Sequence, residues 1–328
     1  MKSTPLVSVL IPVYNRENMI EDCIQSALDQ TYKNIEIIIV DNNSTDGTVE
    51  KCKSLAKIDS RIKIFINEEN IGPVKNWKKS IDLAQGEYGK ILFSDDLILP
   101  EFIKKSITLL HNDVSFVISS AKIGPNLNSS SVNYNFSQNP NDHPFNISSD
   151  KYINDILLGY GSLVSPGAAL FRISDLKDSF MIEIPSPTLT NFSRHGAGPD
   201  LLLFLLTAIK YKFVAHIPEP LVFFREHQGS TTIRASTDKS WSIRACYTQA
   251  RVWFAEYYLD KKILSMLIAR AYLIVIITEK KYDYLFRPTL FAKNYIHDLT
   301  KFSIGIFLTS LPRLVMSALK YKYKSIGK

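Results

Sequence analysis

Apolar and polar positions alternate between two periods along the first 110 residues. Val7-Ser-Val-Leu-Ile11 is a β-branched run that stops at Pro12, the mark of a buried strand. Glu17 to Leu28 instead places Met19, Ile20, Cys23, Ile24, Ala27 and Leu28 at i, i+3, i+4 spacing, which predicts an amphipathic helix. The alternation continues. Ile35–Val40 predicts a second strand. Ser44-Thr-Asp-Gly carries side chains able to cap a helix over Thr48–Ala56. Arg61–Ile66 predicts a third strand, Asn76–Ala84 a helix stopped at Gly86, and Lys90–Phe93 a fourth strand. Strands separated by helices require right-handed crossovers, so the fold class is α/β with a mostly parallel, Rossmann-like sheet and flanking helices.

Beyond residue 110 the pattern loosens. Residues 124–150 are rich in Asn, Ser, Pro and His and predict a long loop or lid. Ile153–Leu158 predicts a helix, Gly167–Arg172 a strand and Asp200–Lys210 an apolar helix. Phe213–Ile217 and Leu221–Phe224 predict short strands. From about Ser240 the pattern is helical to the end, and no internal repeat is present.

Ligands of parallel sheets bind beyond the carboxyl ends of the strands. Three segments fall there: Tyr14-Asn15, Asp41-Asn42-Asn43 and Ser94-Asp95-Asp96. Adjacent carboxylates at a strand end repel each other unless a cation binds. Mg²⁺ or Mn²⁺, with oxygen ligands and a phosphate-bearing partner, fits Asp95-Asp96; a solvated turn ahead of a helix at Glu101 is the plainer reading. Asp41 closes a strand and can accept a hydrogen bond from a nucleobase N–H or a ribose hydroxyl, while Asn43 and Asp46 suit Asx-turn chemistry. Arg225 and His227 alternate on an extended segment and so face one side, where a cation and an imidazole can meet a diphosphate or a metal.

Taken in order, these segments resemble family-2 glycosyltransferases of the GT-A fold. The resemblance rests on Val7-Ser-Val-Leu-Ile-Pro-Val-Tyr-Asn15, Ile37-Ile-Ile-Val-Asp-Asn-Asn-Ser-Thr-Asp-Gly-Thr48, Asn70-Ile-Gly72, Gly86-Glu-Tyr88 and Ser94-Asp-Asp-Leu-Ile-Leu-Pro100. It is strong over residues 5–110, weaker over 160–232 and slight over 240–328. The composite is similar to enzymes that build bacterial surface polysaccharides such as O-antigen and capsule. The resemblance implies inverting transfer of a sugar from a nucleotide-diphosphate donor, a UDP-sugar foremost, to a saccharide or lipid-linked saccharide. It places Pro12, Tyr14, Asn15 and Asp41 at the base and ribose, and Lys75 where many members carry an Arg. Asp95-Asp96 stands at the family's metal motif, with Asp96 as direct ligand, Asp95 as ribose or metal contact, and Arg225 and His227 near diphosphate and metal. Phe93 departs from the pattern by occupying the motif's first Asp position. The general base of such a transfer corresponds to Asp200 in Gly196-Ala-Gly-Pro-Asp200, where Pro199 replaces a family Glu; a helix cap is the plainer reading of Asp200. Phe93 and Pro199 also keep open a non-catalytic protein that binds sugar nucleotide or glycan.

Charge refines this picture. The 328 residues carry a formal net charge of +7. Residues 1–110 hold 14 basic and 16 acidic groups, whereas residues 240–328 hold 15 basic and 5 acidic groups. The basic excess therefore belongs to the end of the chain. Its apolar runs, Lys262–Ile277 and Phe302–Leu319, are interrupted by charge or proline, and Lys320-Tyr-Lys-Tyr-Lys324 follows. That combination predicts an amphipathic region lying on an anionic membrane surface, or packing on a second copy of the chain as a homo-oligomer, without spanning the bilayer. No nucleic-acid module is recognisable. Cys23, Cys52 and Cys246 lack metal spacing and fit a reducing compartment. No secretory signal is expected, because Val7–Val13 is short and contains Pro12. The expected organisation is a catalytic domain over 1–235, with a nucleotide-sugar half (1–110) and an acceptor half (111–235), and a basic helical region over 236–328. The expected location is cytoplasmic, peripheral on the inner face of the cell membrane.

Overall fold

The computed structural model describes residues 4–133, 142–159, 164–185, 192, 196–230, 243–278 and 288–312. Met1–Ile182 with Phe192–Trp241 forms one compact unit; Glu183–Asn191 with Ser242–Lys328 forms another.

The first unit is built on one ten-stranded sheet. β1 (Val7–Val13) pairs in parallel with β2 (Ile35–Asp41) and β4 (Tyr88–Ile91), and β2 pairs in parallel with β3 (Ile62–Ile66). The crossovers are α1 (Ile20–Leu28), α2 (Thr48–Ile58) and α3 (Pro73–Asp82). Every residue of β1 and β2 is buried, as expected of strands covered on both faces. Each Val, Ile or Leu enclosed there stabilises the fold by about 1.5–3 kcal/mol. Pro12 sits inside β1 without loss. Its ladder with β4 has already ended at Leu10 and Ile91, so the missing N–H has no partner to lose.

Past β4 the chain forms β5 (Leu97–Ile98), α4 (Phe102–Leu109), β6 (Val114–Gly124), β7 (Ser131–Asn133), β8 (Phe145–Ser148), α5 (Ser149–Leu158), β9 (Ala169–Arg172), α6 (Ile173–Ser179), α7 (Pro199–Ala208) and β10 (Phe213–Arg225). The sheet order is β3-β2-β1-β4-β9-β6-β10-β5, with β7 on β6 and β8 on β10. β9 is antiparallel to both of its neighbours, while β10 runs parallel to β6. The expected mostly parallel α/β sheet is present, with antiparallel insertions in its second half. Phe116 anchors that half, its ring centroid 5.4 Å from Tyr152, 5.2 Å from Phe171 and 5.0 Å from Phe204.

Three expectations are corrected. Residues 124–150 are not one open loop: Ser131–Asn133 pairs with β6 and Phe145–Ser148 with β10. Short edge strands rich in Ser and Asn carry too little periodicity to reveal themselves. Phe213–Arg225 is a single strand, whose pairing slips around Ile217 and Pro220, where Pro218 and Pro220 cannot donate to a ladder. The third helix begins at Pro73, earlier than Asn76, because proline at N1 sacrifices no helical hydrogen bond.

The second unit is helical: α8 (Ile243–Tyr258), α9 (Lys261–Thr278) and α10 (Pro288–Ala292), with a further helix over 304–312. Tyr272 meets Phe291 and Phe307 edge-on at 5.3 and 5.2 Å. Buried Glu256 accepts backbone N–H groups of His297 and Asp298 at 2.7 and 2.8 Å, tying the turn to α8. No helix among the described residues is long and apolar enough to cross a membrane. The Lys320–Lys324 segment lies outside the described residues.

Candidate active site

The loops after β1 and β2 are sewn together. Ser44 donates from its N–H and Oγ to the two oxygens of Asp41, at 2.8 and 2.6 Å. Asn15, with φ 49°, donates its N–H to Ser44 Oγ and accepts from Thr45 N–H. Glu17 accepts from Gly47 N–H, and Asp46 from Glu17 N–H. The Asx-turn residues thus hold a finished loop. Asp41 is 1% exposed and keeps lone pairs beyond those that Ser44 fills. Tyr14 stands at 42% exposure beside this loop, and Pro12 is buried beneath it.

A buried amide network, not singled out from the sequence, fixes the neighbouring segment. Asn67 donates to Asn42 and Asn76, Asn42 donates to Asn70, and Asn76 donates to the Val40 carbonyl, all at 2.8–2.9 Å. Asn42 also accepts from Ile71 N–H. The network brings the 67–72 segment to the end of β2 and starts α3 there, with Lys75 exposed on its first turn.

The second carboxylate loop follows β4. β5 pairs antiparallel with β10 at Ile98–Val222 and Leu97–Phe223, so the residues just before β5 lie opposite those just after Phe223. This register joins Asp95 and Asp96 to Arg225 and His227. Arg225 N–H donates to Asp96 Oδ1 at 3.0 Å, and its guanidinium donates to Asp22 at 3.1 Å. His227 Nε2 lies 2.8 Å from Asp95 Oδ2. Gly229 N–H donates to His227 Nδ1, so a neutral ring carries its proton on Nε2, facing the carboxylate. Arg16, also not singled out, brings Nη2 to 3.8 Å from Asp95. Its place directly after Tyr14-Asn15 was the available signal.

Burial pushes the Asp96 carboxyl well above the usual carboxylate range, and the neighbouring Asp95 charge adds to this. Below it Lys90 is fully buried, donates to the Gly167 carbonyl and lies 4.3 Å from the Phe102 ring centroid. Burial lowers the Lys90 ammonium to about 7, against a smaller opposing effect of Asp96. Among the described residues no group of three or more His, Cys, Asp or Glu side chains is arranged to hold a metal ion. Two adjacent carboxylates supply oxygen ligands of the kind that Mg²⁺ or Mn²⁺ takes.

Asp200 lies on the first turn of α7, one residue past Pro199. It is not the cap expected from the sequence; Gly198, with φ 106°, takes that place. Asp200 Oδ1 accepts from Gly198 N–H and Leu201 N–H at 2.8 and 2.7 Å. Its segment is held by Gly196, also at positive φ, against the Trp77 ring.

Residues 8–180 match the model of glycosyl transferase family 2. The chain belongs to that family. Over 106 residues it is 42% identical to Bacillus subtilis TuaG, named for teichuronic acid biosynthesis, covering 32% of this chain and 42% of that protein. Over 96 residues it is 40% identical to the Campylobacter jejuni GalNAc(5)-diNAcBac-PP-undecaprenol β-1,3-glucosyltransferase, covering 29% of this chain and 31% of the relative. The chain thus matches only about a third to two-fifths of such relatives' length. Staphylococcus aureus TarS, residues 1–349 in complex with UDP-GlcNAc, superposes with a TM-score of 0.60 at 17% identity, over 94% of this chain and 82% of that 1–349 chain. The fold shared with TarS therefore extends beyond the segment that the family model matches.

Proposed function

We propose that this family-2 chain is an inverting, metal-dependent glycosyltransferase. It moves a sugar from a nucleotide diphosphate, a UDP-sugar foremost, to a saccharide carried on a lipid, in bacterial surface polysaccharide synthesis. The observation that carries the reading is the convergence of Asp95, Asp96, Arg225 and His227 at the strand ends of a family-2 sheet. The UDP-GlcNAc bound to TarS and the undecaprenol-linked substrate in a relative's name support the donor and acceptor classes.

Asp96 and Asp95 would hold Mg²⁺ or Mn²⁺, which offsets charge developing on the diphosphate. Pro12, Tyr14, Asn15 and Asp41 receive the nucleoside, with Lys75 near its phosphates. Asp200 takes the acceptor hydroxyl proton as that oxygen bonds to C1 of the sugar; the C1–oxygen bond to the diphosphate breaks and its electrons leave with the nucleotide. The Arg225 guanidinium meets the departing charge. His227 exchanges Asp95 for the phosphates or the ion. Catalysis is assigned to residues 1–235. The basic region 236–328 docks at the inner face of the cell membrane or on a second copy, and nucleic acid is not a partner.

The decisive experiment is a panel of UDP-, dTDP- and GDP-sugars tested with Mn²⁺, Mg²⁺ or EDTA for binding and hydrolysis. Metal-dependent binding of one donor is expected; absence of metal-dependent nucleotide binding overturns the proposal. Asp200→Asn should lower turnover by about 10²–10⁴ while donor binding persists. A protein that only binds the nucleotide would show no turnover to lose.

A further inference from the structure

Phe93 occupies a place where the family pattern carries an acidic side chain, and its ring has company. Its centroid lies 4.9 Å from Trp77, tilted by 48°. Trp77 in turn backs the Asp200 segment: a Cβ placed on Gly196 would lie 2.3 Å from Trp77 Cη2. On the other side, a Cβ on Gly167 would stand 3.4 Å from Phe93 and 3.0 Å from Phe224. The two rings therefore link the Asp95-Asp96 loop to the Asp200 loop, and glycines stand where side chains would press on them. Both rings remain partly exposed.

Under the function proposed above, the transferred sugar must sit between the diphosphate held near Asp96 and the base Asp200. The Trp77–Phe93 wall spans that interval. An aromatic face accepts C–H groups and methyls and offers no hydrogen bond to a hydroxyl. A hydroxyl pressed on Phe93 would give up water without replacement, which disfavours it. We propose that Trp77 and Phe93 form the surface that receives the transferred sugar, and that they select a donor sugar bearing a methyl group, either a 6-deoxyhexose or an N-acetylhexosamine, over a plain hexose.

The test is calorimetric titration of the full chain with Mn²⁺. Matched ligands are UDP, UDP-glucose and UDP-GlcNAc; dTDP, dTDP-glucose and dTDP-6-deoxyglucose; GDP, GDP-mannose and GDP-6-deoxy-D-mannose. In the series that binds, the methyl-bearing donor should bind about tenfold more tightly than the plain hexose. A preference in the UDP series identifies the acetamido methyl, and one in the other two the 6-methyl. Phe93→Asn, which offers a neutral hydrogen-bonding side chain, should bring the ratio within about twofold while affinity for the parent nucleotide stays unchanged; Trp77→Phe should weaken it less. A wild-type preference for the plain hexose overturns the inference. So does a preference that survives Phe93→Asn, or a parallel loss of nucleotide and donor affinity, which would make the wall a support only. If the wild type binds none of UDP, dTDP or GDP, the functional reading itself fails.

Discussion

The loops after β2 and β4 each present a buried carboxylate at the same edge of one sheet, yet they are finished to different degrees. Asp41 has Ser44 donating to both of its oxygens, and the surrounding turn is cross-linked to the loop after β1. Asp96 receives one backbone N–H from Arg225, sits against a second carboxylate, and is pushed toward its protonated form by burial. The first arrangement is a scaffold that keeps its shape by itself. The second concentrates negative charge that the fold does not settle, the condition under which a cation-bearing ligand has most to offer.

The largest expected effect lies at the unsettled loop. Asp96→Asn should cut metal-dependent transfer by about 10²–10³-fold. Its effect on folding should run the other way. Because the folded protein holds the Asp96 carboxyl above its unfolded value, its contribution to stability is present at low pH and is lost as pH rises out of the ordinary carboxylate range. In EDTA, Asp96→Asn should remove that part of the fall in melting temperature toward neutral pH. An unchanged pH profile, or a variant much less stable than wild type at pH 7, would place Asp96 with Asp41 as scaffold.

The contrast between the loops was only half legible in the sequence. Asp41 announces itself by closing a β-branched strand, Asp95-Asp96 by following an apolar strand, and α1 by its apolar spacing. The joining of Asp95 to His227 is different in kind. It depends on the two-residue strand Leu97–Ile98 pairing with Val222 and Phe223, far along the chain, and two residues carry no periodicity. The amide network escaped for a related reason. Asn42, Asn67, Asn70 and Asn76 each read as turn or cap chemistry, and only tertiary structure turns them toward one another. Lys90 escaped because a lysine within a strand reads as an exposed position, whereas the fold encloses it beneath Asp96.

Next in size comes the network that shapes the finished side. Asn67→Ala leaves Asn42 and Asn76 each short of a donor in a buried setting and should cost about 1–3 kcal/mol, measured by urea denaturation. Ser44→Ala removes only one of the two donors that reach Asp41 from a partly buried turn, since the backbone N–H survives the substitution. A loss of about 1 kcal/mol and a modest rise in donor KM are expected. If Ser44→Ala instead abolished transfer with little loss of stability, Asp41 would owe its reactivity to Ser44, and the scaffold description would not hold.

The smallest effect tests whether the two loops are independent. Arg16 stands in the loop after β1, which is cross-linked to the loop after β2, and its guanidinium donates to the Asn15 carbonyl and lies 3.8 Å from Asp95. The side chains are 25% and 19% exposed, so solvent screens the pair, and an ion pair of this kind contributes roughly 0–1 kcal/mol. Arg16→Gln keeps much of the length and some donor capacity while removing the charge. Stability should therefore change by less than about 1 kcal/mol, and salt should erase most of the difference. The same variant should raise KM for the donor more than it lowers kcat, since a fixed positive charge beside Asp95 acts on a bound diphosphate before and during transfer alike. A stability loss well above that range would mean that Arg16 welds the loops into one element. The settled and unsettled carboxylates would then be two ends of a single network, with any ligand at Asp96 felt directly at Asp41.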